Sequence, residues 1–247
     1  MLVKSQVKYI QSLSQKKLRE EEGVFVAEGP KIINELLAAS NIDIRQLYAT
    51  EYWLGAHQAL HASLDPAIVT IVDSKELERI SFLTTPNEVL GIFDKPAFNA
   101  PVKAKDCISI LLDTIQDPGN LGTILRCADW FGITQVICSE ECSDLFSAKV
   151  VQSSMGSISR VQVLYTEPDA FLKKNNDVPV YAALLDGTNL YDHPKIKEGI
   201  IIVGNESKGI RPSLIGKGTH KLTIPRKGNA ESLNAAVATG IILSHLT

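Results

Sequence analysis

Apolar positions along the first hundred residues alternate between a helical and a strand-like period, and that alternation sets the expected architecture. Residues 5–21 are polar and basic at helical spacing, and 24–27 (Val24, Phe25, Val26, Ala27) read as a strand. In 30–39, Ile32, Ile33, Leu36 and Leu37 share one helical face, with Pro30 suited to the first turn. Strands are expected near 44–49, 67–72 and 89–93, and a helix over 74–80 with Ser74 as its cap. Together these predict a compact α/β domain over residues 1–97.

Residues 98–105 continue a proline-bearing stretch without periodicity and read as a linker. Beyond it, 107–112 is a nearly all-apolar run of the kind found in a buried parallel strand. Helices over 121–131, 148–154, 168–174 and 232–246 then alternate with strands over 134–138, 161–165, 180–185, 199–203 and 221–224. The pattern predicts a parallel sheet covered by helices on both faces, occupying a second domain over 106–247.

Composition narrows the class. The chain is 45% apolar and 21% charged, and no apolar run approaches the roughly 20 residues that span a bilayer. No signal-peptide core follows the first residues, so a cytoplasmic protein with no membrane partner is expected. A net charge of −3 supplies no global attraction for nucleic acid, which leaves local patches. Lys4, Lys8, Lys16, Lys17 and Arg19 form one candidate; a solvated helix face is the alternative. Cys138 and Cys142 lack further ligands to complete a metal set, so these and Cys107 and Cys127 are expected as free thiols, with no metal. His57 and His61 lie four apart without a zinc motif, which favours structural or surface roles.

Three blocks carry the chemistry. The first runs from Asp113 through Asp117, Pro118, Gly119, Asn120 and Gly122 to Arg126; the turn at Pro118-Gly119 predicts Asn120 as helix cap, with Arg126 facing away from the helix's apolar stripe. The second is Gly204-Asn205-Glu206 closed by Gly209, at the end of a strand. A carboxylate there can orient an arginine or accept a substrate hydroxyl's hydrogen bond. The third passes Ile224, Pro225, Arg226, Lys227 and Gly228 to Ser232-Leu233-Asn234, with Ser232 a natural cap. Ligands of open α/β sheets bind at the carboxyl ends of strands, so three such loops point to one small-molecule pocket. Arg226 and Lys227 place positive charge beside it, where a phosphate backbone could lie.

At these residues the chain resembles the SpoU (TrmH-type) RNA 2′-O-ribose methyltransferases of the SPOUT superfamily. Asp117, Pro118, Asn120, Gly122 and Arg126 match the family's first motif; Gly204, Glu206 and Gly209 its second; Ile224-Pro225 and Ser232-Leu233-Asn234 its third. Less specifically, Ala27-Glu28-Gly29 and its surroundings are similar to the family's ribosomal-protein-like, RNA-binding N-terminal domain. The resemblance implies a parallel sheet threaded into a deep trefoil knot, an exception to unknotted topology. It implies S-adenosyl-L-methionine as cofactor, held near Gly204, Ile224 and Leu233, and a homodimer acting on ribosomal or transfer RNA, with ribosomal RNA favoured by the added domain. Carried over residue by residue, Arg126 positions the substrate and stabilises charge, Glu206 orients Arg126, Asn120 and Asn234 hold substrate or loop geometry, and Ser232 contacts substrate or phosphate. Arg126 is a poor base, because guanidinium stays protonated at neutral pH.

Two other classes of function compete with this one. A Rossmann-type enzyme expects G-x-G-x-x-G directly after the first strand, whereas Gly119 and Gly122 are spaced G-x-x-G behind an Asp-Pro step. A non-catalytic RNA-binding protein keeping the same fold has no need of Arg126, Glu206 and Asn234 together.

Overall fold

The computed structural model describes residues 1–247, except that the side chain of His61 lies outside the described residues, and with it the expectation for that histidine. The chain divides into two compact units, Met1–Phe98 with Phe146–Ser159, and Asn99–Leu145 with Arg160–Thr247.

In the first unit, helices α1 (Lys4–Ser12) and α2 (Lys16–Glu22) replace the single helix expected over 5–21. The break is explained by Arg19, which is buried and donates from Nη1 to the carbonyls of Leu13 and Ser14 at 2.6 and 2.8 Å. Those carbonyls, orphaned at the end of α1, find their partner in a side chain rather than in a continuing helix. Lys16 and Lys17 pair with Glu20 and Glu21 one turn on, so this segment behaves as a charge-balanced helix face. Strand β1 (Val24–Glu28) and helix α3 (Pro30–Leu37) follow, then β2 (Ile44–Ala49).

Two short helices escaped the sequence reading, α4 (Glu51–Ala56) and α5 (Gln58–Ser63). The hydroxyl of Thr50 caps α4 by accepting from Trp53 N–H, and Trp53 is buried. His57 stacks on Trp53 with centroids 4.4 Å apart, a structural histidine. After β3 (Val69–Ile71), helix α6 (Ser74–Ile80) is capped by Asp73 rather than Ser74: Asp73 and Glu76 form a reciprocal capping box. Strand β4 (Val89–Asp94) completes a sheet of order β1-β4-β2-β3 in which only β2 and β3 run parallel. Phe25 packs between Phe93 and Phe146, at 5.7 and 5.3 Å between centroids.

The second unit holds a six-stranded sheet. Its strands are β5 (Ile108–Asp113), β6 (Gln135–Cys138), β7 (Gln162–Tyr165), β8 (Val180–Asn189), β9 (Gly199–Gly204) and β10 (His220–Thr223). All pairs are parallel, in the order β10-β8-β9-β5-β6-β7. The central strands are almost wholly buried and nearly all apolar, as a sheet covered on both faces requires. Strand β8 runs four residues beyond expectation. Gly187 permits this, since a Cβ there would lie 2.6 Å from the Lys221 backbone on β10, where the register shifts.

Helix α7 (Pro118–Trp130) buries Leu121, Ile124, Leu125 and Ala128 and packs on α10 (Ala235–Leu246). Helix α8 (Ala148–Ser154) groups with the first unit, through β1, and α9 (Pro168–Lys174) with the second. Among the described residues no helix is long and apolar enough to cross a membrane, and no group of three or more His, Cys, Asp or Glu is placed to hold a metal ion.

Candidate active site

Parallel pairing fixes where the three blocks fall. Asp113, the last residue of β5, is in register with Gly204, the last of β9, so the first and second blocks leave the sheet side by side. The third block leaves the carboxyl end of β10, with Ile224 just past the strand's last residue, Thr223.

The first block differs from expectation in its cap. Pro118 is the first residue of α7, where its missing N–H is no loss, and Asp117 is the cap, accepting from Asn120 N–H at 2.8 Å. The side chain of Asn120 is thereby released for other work. At α10 the cap is Asn234 and not Ser232: its Oδ1 accepts from Ala236 N–H at 3.0 Å and Val237 N–H at 3.2 Å. Ser232 stays exposed in the loop before it.

These two corrections explain one another. Asn234, its oxygen committed to α10, donates from Nδ2 to Asn120 Oδ1 at 2.7 Å, and Asn120 donates from Nδ2 to a carboxylate oxygen of Glu206. Asn234, Asn120 and Glu206 therefore form a directed chain joining all three blocks. Glu206 receives Asn120 through one carboxylate oxygen, and no ion pair joins it to Arg126 among the described residues. Arg126 is exposed on α7, opposite the buried stripe. Its neighbour Asp129 takes Arg160 at 2.9 Å.

Around this chain the loops present open backbone and a little apolar surface. Gly204 is half-buried, and a Cβ there would strike the backbone of Gly209, so glycine is needed for the loop to close. Asn205 and Gly209 bridge each other across the turn. Ile224 is half-buried, and Leu233 is 45% exposed, an apolar side chain held out beside the polar chain. Lys208, Arg226 and Lys227 are exposed on the same loops, with Arg226 donating to the carbonyl of Ala230 at 3.1 Å.

Beneath the loops lies a buttress that the sequence reading missed. Asp113, only 1% exposed, accepts from the main-chain and Nε hydrogens of Arg211, each at 2.7 Å. The same guanidinium reaches Glu167 at 3.5 Å and Glu141 at 3.6 Å, so it ties together the ends of β5, β6, β7 and β9. The Glu141 carboxyl is held below its ordinary range, first by the Ser139 hydroxyl and further by Arg211. A charged residue ending an apolar strand was the available signal at Asp113; its partner, 98 residues away, was not. Cys142 is buried here with its thiol held down to about 7, chiefly by a hydrogen bond from the Cys138 thiol. All four cysteines are free.

Known proteins place this arrangement. The family described as SpoU rRNA Methylase matches residues 107–244, and an MRM3-like substrate binding domain matches 4–91. A protein of Porphyromonas gingivalis assigned to the TrmH family of RNA methyltransferases is 40% identical, with a TM-score of 0.85 over 100% of this chain and 98% of that one. An AdoMet-bound rRNA methyltransferase from Sinorhizobium meliloti is 31% identical, with a TM-score of 0.83 over 100% and 95%. The 23S rRNA (guanosine(2553)-2'-O)-methyltransferase RlmP of Bacillus subtilis is 29% identical over 97% of this chain and 95% of its own length. A family match across more than half the chain, on the loops that Asn234, Asn120 and Glu206 tie together, settles the assignment: the chain belongs to the SpoU rRNA Methylase family.

Proposed function

We propose that this protein transfers a methyl group from S-adenosyl-L-methionine to a ribose 2′-hydroxyl of ribosomal RNA. The observation that carries the reading is the hydrogen-bonded chain Asn234–Asn120–Glu206, which brings all three loops together at the carboxyl ends of the sheet. Relatives spanning nearly the whole chain support it: one is an rRNA methyltransferase with AdoMet bound, another methylates a 23S rRNA 2′-oxygen.

The residues present suit that cofactor. Open backbone at Gly204 and along the third loop can meet its polar groups, and Ile224 and exposed Leu233 can meet its flat base. When bound, it supplies a methyl carbon made electrophilic by a positive sulfur. The protein's work is then alignment and help with one proton. Glu206, fixed by Asn120 through one oxygen, offers the other to the ribose hydroxyl. The Arg126 guanidinium stabilises charge growing on the 2′-oxygen or clamps an adjacent phosphate. Ser232, Arg226 and Lys227 line the path of the RNA backbone.

The knot and the dimer belong to the same reading. The trefoil knot in the second unit is inferred from membership of the SpoU rRNA Methylase family. Trp130, 83% exposed at the end of α7, and Val237, 52% exposed on α10, are apolar side chains that a second copy would cover.

The test is transfer of tritiated methyl from labelled cofactor into ribosomal RNA taken from cells lacking this chain, followed by mapping of the label. Label in ribose supports the reading; label in bases, or no transfer, overturns it.

A further inference from the structure

Thr114 has φ +61°, one of three non-glycine residues with positive φ among the described residues. A β-branched side chain is poorly suited to that left-handed conformation, so something must hold it there. Every polar group of Thr114 is gripped. Its N–H donates to Ser139 Oγ at 3.0 Å, its hydroxyl donates to Asp113 Oδ1 at 3.1 Å, and its carbonyl accepts from Asn205 Nδ2 at 2.9 Å. The three partners come from the ends of three different strands, β5, β6 and β9.

Asn205 has a second engagement. Its Oδ1 accepts from Ser207 N–H at 2.9 Å and Lys208 N–H at 3.1 Å, shaping the turn that carries Glu206. One amide thus spans two loops: its oxygen forms the second, and its nitrogen fixes the point where the first reverses toward Asp117 and Asn120. We propose that Asn205 is a positioning residue for methyl transfer, holding Thr114 left-handed so that Asn120 and Glu206 meet. This rests on reading the three loops as the methyl-transfer site. Asn205 acts through the backbone and touches neither RNA nor cofactor.

The test uses the full chain with labelled cofactor and ribosomal RNA from cells lacking it. Asn205→Asp keeps the acceptors for Ser207 and Lys208 but sets a carboxylate oxygen against the Thr114 carbonyl. The kcat should fall by about tenfold to a hundredfold, with KM for the cofactor nearly unchanged. Glycine adopts positive φ without strain, so adding Thr114→Gly to Asn205→Asp should recover most of the lost kcat. Amide exchange over residues 113–120 should quicken in Asn205→Asp. Undiminished kcat, a loss confined to cofactor KM, or failure of Thr114→Gly to rescue a folded Asn205→Asp chain each overturns the proposal. So does unchanged exchange, a readout independent of turnover. Absence of transfer by the unmodified chain would instead overturn the functional reading, so the two failures are distinguishable.

Discussion

Asn234 donates to Asn120 across 2.7 Å, and the bond can run in one direction only. Asn234 has spent its oxygen on the first N–H groups of α10, so its nitrogen must face Asn120. Asn120 then presents its own nitrogen to Glu206. Neither amide can flip without two donors, or two acceptors, meeting. Capping a helix at one end therefore orients a carboxylate at the other.

Asn234→Asp separates the cap from the donor. An aspartate still accepts from Ala236 and Val237 N–H, so the melting temperature should hold, whereas Asn234→Ala loses the cap and about 1 kcal/mol. Both variants should lose most methyl transfer. Full activity in a stable Asn234→Asp would show that the chain to Glu206 is ornamental.

For Arg126→Ala, turnover should drop by about a hundredfold or more while cofactor affinity, read by calorimetry, stays close to that of the parent. Arg126 is exposed and lies outside the hydrogen-bonded chain, so stability should not move. Weakened cofactor binding in this variant would reassign the arginine to the pocket.

The pair beneath the loops should be asymmetric. Arg211→Ala strips the cation from a carboxylate that is 1% exposed, at a cost of about 3 kcal/mol in denaturant unfolding. Asp113→Ala should cost less, because the half-exposed guanidinium keeps Glu141 and Glu167 within reach. Equal losses would contradict a buttress built around a buried charge.

Glu28 offers a pH handle in the first unit. Burial raises its carboxyl above the ordinary range, against the lowering effect of hydrogen bonds from Ser81 and Phe82 N–H. The folded chain thus holds this proton more tightly than the unfolded chain. Its contribution is full below the unfolded value and is lost as pH rises through the folded one. The melting temperature of the parent minus that of Glu28→Gln should therefore decline as pH rises above the ordinary glutamate value. A difference that stays flat or climbs would mean that burial does not dominate at Glu28.

Local chemistry was enough to read much of this protein. Two helices, Ala148–Ser154 and Pro168–Lys174, fall where periodicity set them, and the alternation of apolar runs and helices gave a parallel sheet. Glycine, proline and a few polar residues at strand ends marked the three loops, because turn and mouth chemistry is written over four to six neighbouring positions. What neighbours could not reveal was which polar atom each side chain would spend where. Asn120 looked like a cap until Asp117 took that place; Ser232 did until Asn234 did. Asp113 and Arg211, like Asn205 and Thr114, meet only because parallel strands from distant parts of the chain end side by side. Such partnerships depend on the register of the folded sheet, and nothing in either local segment specifies it.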